Sequence, residues 1–147
     1  MFHVIAEEGL GNVLDRIWNA TRQKELEHIL KLKNNDGELC LHSAVKNLRG
    51  IEAEKIMIQL FDMGADLDAQ DDTGDTVLHI AVKQQDYQLV KWLLSLRIDI
   101  NIKYKSELTA YQLAEEKKDY KMTTMILSKK GSFDEWLVKN FKSIAFL

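Results

Sequence analysis

The stretch Gly74-Asp75-Thr76-Val77-Leu78-His79-Ile80-Ala81-Val82 decides the reading of this chain, because it occurs more than once. Gly37-Glu38-Leu39-Cys40-Leu41-His42-Ser43-Ala44-Val45 shares its pattern, Gly-x-x-x-Leu-His-x-Ala-Val. Glu107-Leu108-Thr109-Ala110-Tyr111-Gln112-Leu113-Ala114 is a weaker third copy, and Phe2-His3-Val4-Ile5-Ala6-Glu7-Glu8-Gly9 is a truncated fourth. His3, His42, His79 and Gln112 form one column, with spacings of 39, 37 and 33 residues. A period of this size marks a repeat array, in which no unit buries its apolar face alone. Relative to the shortest spacing, the first two carry excesses of six and four residues, which imply loop insertions or helix extensions.

The second half of the period recurs as well. Asp86-Tyr87 and Asp119-Tyr120 stand 33 apart, and Val90, Leu93 and Leu94 align with Thr123, Ile126 and Leu127. Leu14, Ile17 and Trp18 hold these places in the first unit, and Met57, Leu60 and Phe61 in the second, followed by Gly64-Ala65-Asp66. Spacings of three and four put such residues on one helical face, so Trp18 is expected in the core. Met57, Met63, Met122 and Met125 are read as core filling. Trp92 is left open between packing and partner contact. Asp86 and Asp119 precede their apolar runs and are expected to cap helices, a carboxylate accepting from orphan N–H groups of the first turn.

Turn-prone Asn34-Asn35-Asp36-Gly37 and Asp71-Asp72-Thr73-Gly74 place loops near 33–36 and 68–73, with a third near 101–106. The expected map is four stacked helix-pair units at about 1–33, 34–66, 67–99 and 100–130, all in one domain. Residues 19–31 read as an extended second helix or a long loop of the first unit. Beyond Gly131-Ser132, the residues Phe133, Trp136, Leu137, Phe141 and Ile144 recur at helical spacing, so 132–147 reads as a helix capping the stack.

Composition narrows the function classes. The chain has 147 residues, 46% hydrophobic and 29% charged, with no Pro and one Cys. Disordered and collagen-like chains have quite different compositions. No apolar run approaches the ~18 residues of a membrane span. A secretory signal needs a basic start followed by an apolar run, and 1–12 carries Glu7 and Glu8 with no such run. Cys40 is alone and cannot form an internal disulfide. A net charge of −3 and a pI near 5.8 argue against nucleic acid and anionic membrane as partners, and favour a basic protein partner through steering.

Catalytic constellations do not emerge. Glu7-Glu8 and Glu115-Glu116 are adjacent pairs, and helical neighbours point in different directions. Asp71-Asp72 suits a turn. Nucleotide-binding glycine loops, HExxH and paired CxxC motifs are lacking. We expect no enzyme and no cofactor or metal.

Gly-x-Thr-x-Leu-His-x-Ala followed by Val-x-x-Leu-Leu resembles the ankyrin repeat, with Cys40, Val77 and Ala110 in place of the consensus Pro at the first helix start. The resemblance implies an all-α ankyrin-repeat solenoid with a C-terminal capping helix, and a structural role for the Leu-His column, whose His ties neighbouring loops together. Glu107 and Lys118 stand where Gly is usual. It also implies binding of protein through loop tips and first helices. The candidate surface is Asp36, Lys46, Asn47, Gln70, Asp71, Asp72, Lys83, Gln84, Gln85, Tyr104 and Lys105.

The opening Phe2-His3-Val4-Ile5-Ala6, the central Thr76-Val77-Leu78-His79 with Asp86-Tyr87, and the late Leu108-Thr109-Ala110-Tyr111-Gln112-Leu113 together resemble the viral ankyrin proteins of polydnaviruses. These are similar to the inhibitor-of-NF-κB (IκB) family. That resemblance implies an inhibitor that sequesters host Rel/NF-κB factors by covering their nuclear-localisation and DNA-binding surfaces. It would act in the host cytoplasm and nucleus to suppress immune signalling. With no room for a phosphorylated leader and no Pro-rich segment, it is expected to lack degradation signals. A generic ankyrin adaptor binding another host protein is the alternative, and self-association through the C-terminal helix a third reading.

Overall fold

The computed structural model describes residues 11–130. Its helices are α1 (Gly11–Ala20), α2 (Gln23–Leu30), α3 (Cys40–Asn47), α4 (Gly50–Asp62), α5 (Val77–Lys83), α6 (Tyr87–Ser95), α7 (Ala110–Glu116) and α8 (Tyr120–Lys130). Among the described residues there is no strand, only an isolated antiparallel bridge between Lys103 and Thr109. α3, α5 and α7 stack as one layer, and α1, α4, α6 and α8 as the other. Each helix of the first layer packs on its successor in the second, α3 on α4, α5 on α6 and α7 on α8. This is the two-layer solenoid expected from the repeats. The truncated copy at 2–9 and the capping helix at 132–147 lie outside the described residues.

Helix starts are set by side chains, without Pro. Cys40, Val77 and Ala110 are the first residues of α3, α5 and α7. The Thr76 hydroxyl accepts from His79 N–H at 3.5 Å, and His79 Nδ1 accepts from Thr76 N–H at 3.2 Å. Thr109 and Gln112 repeat this reciprocal box, at 3.3 and 3.0 Å. Leu39 has no acceptor, so only the return bond survives there, Leu39 N–H to His42 Nδ1 at 3.3 Å. In the second layer, Asp86 accepts from Leu89 N–H and Asp119 from Met122 N–H, both at 3.1 Å, as expected of caps. Their second oxygens do something the sequence had not suggested. Asp86 also accepts from Gly50 N–H at 2.8 Å, and Asp119 from Gln85 Nε2 at 3.1 Å and the Tyr87 hydroxyl at 2.8 Å. Each cap is therefore also a tie to the preceding helix pair.

The apolar columns meet between the layers. Leu14, Met57, Leu60, Val90, Leu93 and Met122 are buried, as are Met63 and Ile126, while Met125 and Trp92 are partly buried against the same core. Trp18 corrects its assignment: it is 42% exposed, and Phe61 in the same column is 43% exposed. They stand at the margin of a stripe whose centre, Leu14 and Met57, is fully buried. Residues 19–31 also depart from expectation. They are neither a continuation of α1 nor a long loop, but break at Thr21-Arg22 and fold as α2, which buries Leu26 and Leu30.

Three turns between the pairs share one hydrogen-bond pattern. The N–H of Asn34, Asp71 and Tyr104 donates to the carbonyl four residues on, at 2.8, 3.0 and 3.2 Å. The carbonyls of Asn34, Asp71 and Tyr104 themselves accept from the N–H of Gly37, Gly74 and Glu107 respectively, at 3.1, 3.0 and 2.8 Å. The three acceptor-side donors have positive φ of 75°, 79° and 60°. Only the third is not glycine.

Histidine ties turn to turn. His42 is fully buried; with Nδ1 accepting from Leu39, its Nε2–H is left to donate to Ala69 and Asp75 carbonyls at 3.1 and 3.0 Å. His79 faces the equivalent positions, Ile102 and Leu108, but its Nε2 reaches neither in hydrogen-bond geometry, and its ring packs edge-on to Tyr104 at 5.4 Å. Burial holds both imidazoles below their ordinary pKa.

Two outcomes follow for stability. Glu107→Gly relieves a left-handed residue and raises stability by about 1 kcal/mol in urea melts, whereas Gly74→Ala lowers it by at least as much. A Cβ at Gly74 would stand 3.0 Å from the Lys105 backbone nitrogen as well as requiring positive φ. His79 has a lowered folded pKa, so its contribution is present above the unfolded value near 6.5 and is lost as pH falls below it. His79→Gln copies the Gln112 box without a titrating ring, so its loss of stability between neutral and mildly acid pH should be shallower than that of the unsubstituted chain.

Candidate protein-binding surface

The first-layer helices and the turns line one concave groove of about 440 Å³. Lys46, Ile80, Lys83 and Gln84 come from α3 and α5 and the residue after it; Thr73, Asp75, Tyr104, Lys105 and Ser106 come from the turns. A regular spacing builds its charges. Glu38 and Asp75 are 37 apart, and so are Lys46 and Lys83. Lys46 is bonded to Glu38, and Lys83 Nζ donates to Asp75 at 2.5 Å. Lys83 also lies 4.4 Å from the centroid of the Tyr104 ring, a cation–π contact that fixes both side chains at the groove. Burial pushes the Glu38 carboxyl up, but Lys46, Asn34 and Ser43 outweigh it and hold it below the usual carboxylate range.

The groove unites five of the eleven sequence-predicted residues: Lys46, Lys83, Gln84, Tyr104 and Lys105. Gln84 also joins successive pairs, its Nε2 donating to the Lys46 carbonyl at 3.2 Å. The others stand outside it. Asp36 is exposed at the first turn, and Asp72, exposed at the second, pairs with Lys33 at 2.6 Å. Gln70 is exposed and links Gly74 and Lys103 carbonyls at 2.6 and 2.9 Å. Asn47 is exposed and donates to the Ser43 carbonyl at 2.8 Å, and Gln85 is an exposed left-handed residue bonded to Asp119.

Asp71 corrects its assignment as a loop-tip contact. It is 5% exposed, and one carboxylate oxygen accepts from Thr73 N–H at 2.9 Å, Asp75 N–H at 3.0 Å and the Thr73 hydroxyl at 2.6 Å. Burial raises its pKa, but these hydrogen-bond donors outweigh it and hold the carboxyl below its ordinary value. Asn34 does the same work one turn earlier, accepting from Asp36 and Glu38 N–H at 2.9 and 3.0 Å. Asp75 was missed as a groove residue, although the repeated spacing from acid to Lys was there to be read.

This is a surface for contact, built of paired charges, amides and one aromatic ring on a rigid frame. Cys40 is buried, and burial pushes its thiol up to about 11, so it is not a nucleophile at neutral pH. Among the described residues no group of three or more His, Cys, Asp or Glu is placed to hold a metal ion. No helix of the described residues is long and apolar enough to cross a membrane.

Comparison with known proteins gives this surface its kin. A family model described as "Ankyrin repeats (3 copies)" matches residues 2–104 and 41–135. The chain is 35% identical over 119 residues to I-kappa-B like protein N2 of Microplitis demolitor bracovirus, covering 80% of this chain and 64% of that one. It is 36% identical over 103 residues to I-Kappa-B like protein N1 of the same virus, covering 69% and 73% respectively. I-Kappa-B like protein C2 is 32% identical over 119 residues, covering 79% of this chain and 65% of its own. The chain thus spans a little under two thirds of the length of N2 and C2. It belongs to the ankyrin-repeat family and, within it, to the I-kappa-B like proteins of bracoviruses.

Proposed function

We propose that this chain is an IκB-like inhibitor that binds host Rel/NF-κB transcription factors and keeps them from DNA, suppressing host immune signalling. The observation that carries this reading is kinship with proteins named I-kappa-B like over 80% and 69% of the chain. The groove supports it: Lys83, Tyr104 and Lys105 are presented from elements tied to one another, which lowers the ordering cost of gripping a folded partner. The protein acts by occupancy, without catalysis, inside the host cell, in cytoplasm and nucleus.

Calorimetric titration with a purified dimeric Rel-homology domain tests the reading. Saturable binding is expected, with κB-site DNA competing, and Lys83→Ala with Tyr104→Ala weakening it by about tenfold or more if the groove holds the interface. Variants are compared after thermal melts establish that they are folded. No heat of binding to any Rel-homology domain removes the proposal and leaves an adaptor for a different host protein.

A further inference from the structure

The second helical layer carries a charge division that the concave groove does not use. α4 holds Glu52, Glu54 and Asp62 against a single Lys55. α6 holds Lys91 and no acid, and α8 holds Lys121 and Lys129 and no acid. Between α6 and α8 runs a groove of about 450 Å³, lined by Lys91, Leu94, Ser95, Met125, Ser128 and Lys129. Its floor is apolar and its rim is cationic, with no carboxylate in the lining. Lys129 is held in place, Nζ donating to the Leu94 carbonyl at 2.7 Å and to the Leu96 carbonyl. An ammonium has three N–H donors, so one remains for a ligand.

We infer that this groove is a second interaction surface, on the second helical layer, and that it fits an acidic, amphipathic protein segment. A large apolar side chain of that segment would fill the space over Leu94 and Met125, and carboxylates on either side would meet Lys91 and Lys129. Shape favours a protein segment over a lipid surface or nucleic acid: the site is a slot between two helices sized for side chains, not a broad basic face.

The test uses the full chain and a fluorescently labelled helical peptide with Leu at three- and four-residue spacing and Glu flanking it. Its partner probe has Lys for every Glu. Anisotropy should show the acidic peptide binding and the basic one not, with affinity falling several-fold between low and physiological salt, as for partly exposed charge pairs. Lys91→Glu should weaken binding by about tenfold or more, Lys91→Arg should restore it, and Met125→Glu should remove it. The inference is overturned if the acidic peptide does not bind, or if it binds Lys91→Glu as well as the unsubstituted chain. Capture by phosphatidylserine vesicles without peptide binding, or salt-sensitive self-association in sedimentation without it, would equally overturn it. Binding of the Rel-homology domain should be unchanged by Lys91→Glu, so failure of either reading is separable from the other.

Discussion

His42 is completely buried and directs one N–H at two carbonyls of the following turn, Ala69 and Asp75. Those carbonyls flank the hairpin that carries Asp71, Thr73 and Gly74, so a single neutral imidazole holds the frame of the next turn against the start of α3. Its other nitrogen accepts from Leu39 N–H and thereby sets the helix start as well. The Nδ1 acceptor bond needs the uncharged ring, and burial keeps it uncharged. In a stack whose units touch only their neighbours, such a contact is what turns separate helix pairs into one body. The Asp86 and Asp119 caps add the corresponding ties on the second layer, through Gly50 and through Gln85 and Tyr87.

The histidine column changes towards the C-terminal side. His79 occupies the equivalent place without completing its bond, and Tyr104 fills the space beside it instead. Gln112 retains the cap geometry with no ring at all. The third turn closes over Glu107, a left-handed residue with a side chain, where the first two have glycine. The groove spans these turns, with Lys46 towards one side and Tyr104 and Lys105 towards the other.

Much of this was legible in residues alone. The Leu-His column located the first-layer helices to the residue, since Cys40, Val77 and Ala110 begin α3, α5 and α7, and the Asp86 and Asp119 caps followed from their place before apolar runs. What escaped has a common cause: periodicity says which side of a helix a residue takes, not what stands opposite it. Trp18 shares the spacing of Leu94 and Leu127, yet the column lies at the edge of the stripe and is covered to different degrees along the stack. Asp71 reads as a loop tip because Asp favours turns, but the carboxylate favours them by turning inward to backbone N–H groups. α2 was obscured because its segment has no counterpart in the other repeats. The groove pairing of Asp75 with Lys83 was visible as a spacing, but its meaning depended on the two ends meeting in space.

His42 thus stands as a neutral Nε2–H donor bridging successive turns. Long-range nitrogen–proton correlation NMR of the imidazole at neutral pH tests it most directly. A single tautomer protonated at Nε2 is expected, with its proton exchanging slowly and unshifted until the protein unfolds in acid. A ring protonated at Nδ1, or an imidazolium that titrates near its ordinary value while the chain stays folded, would contradict it.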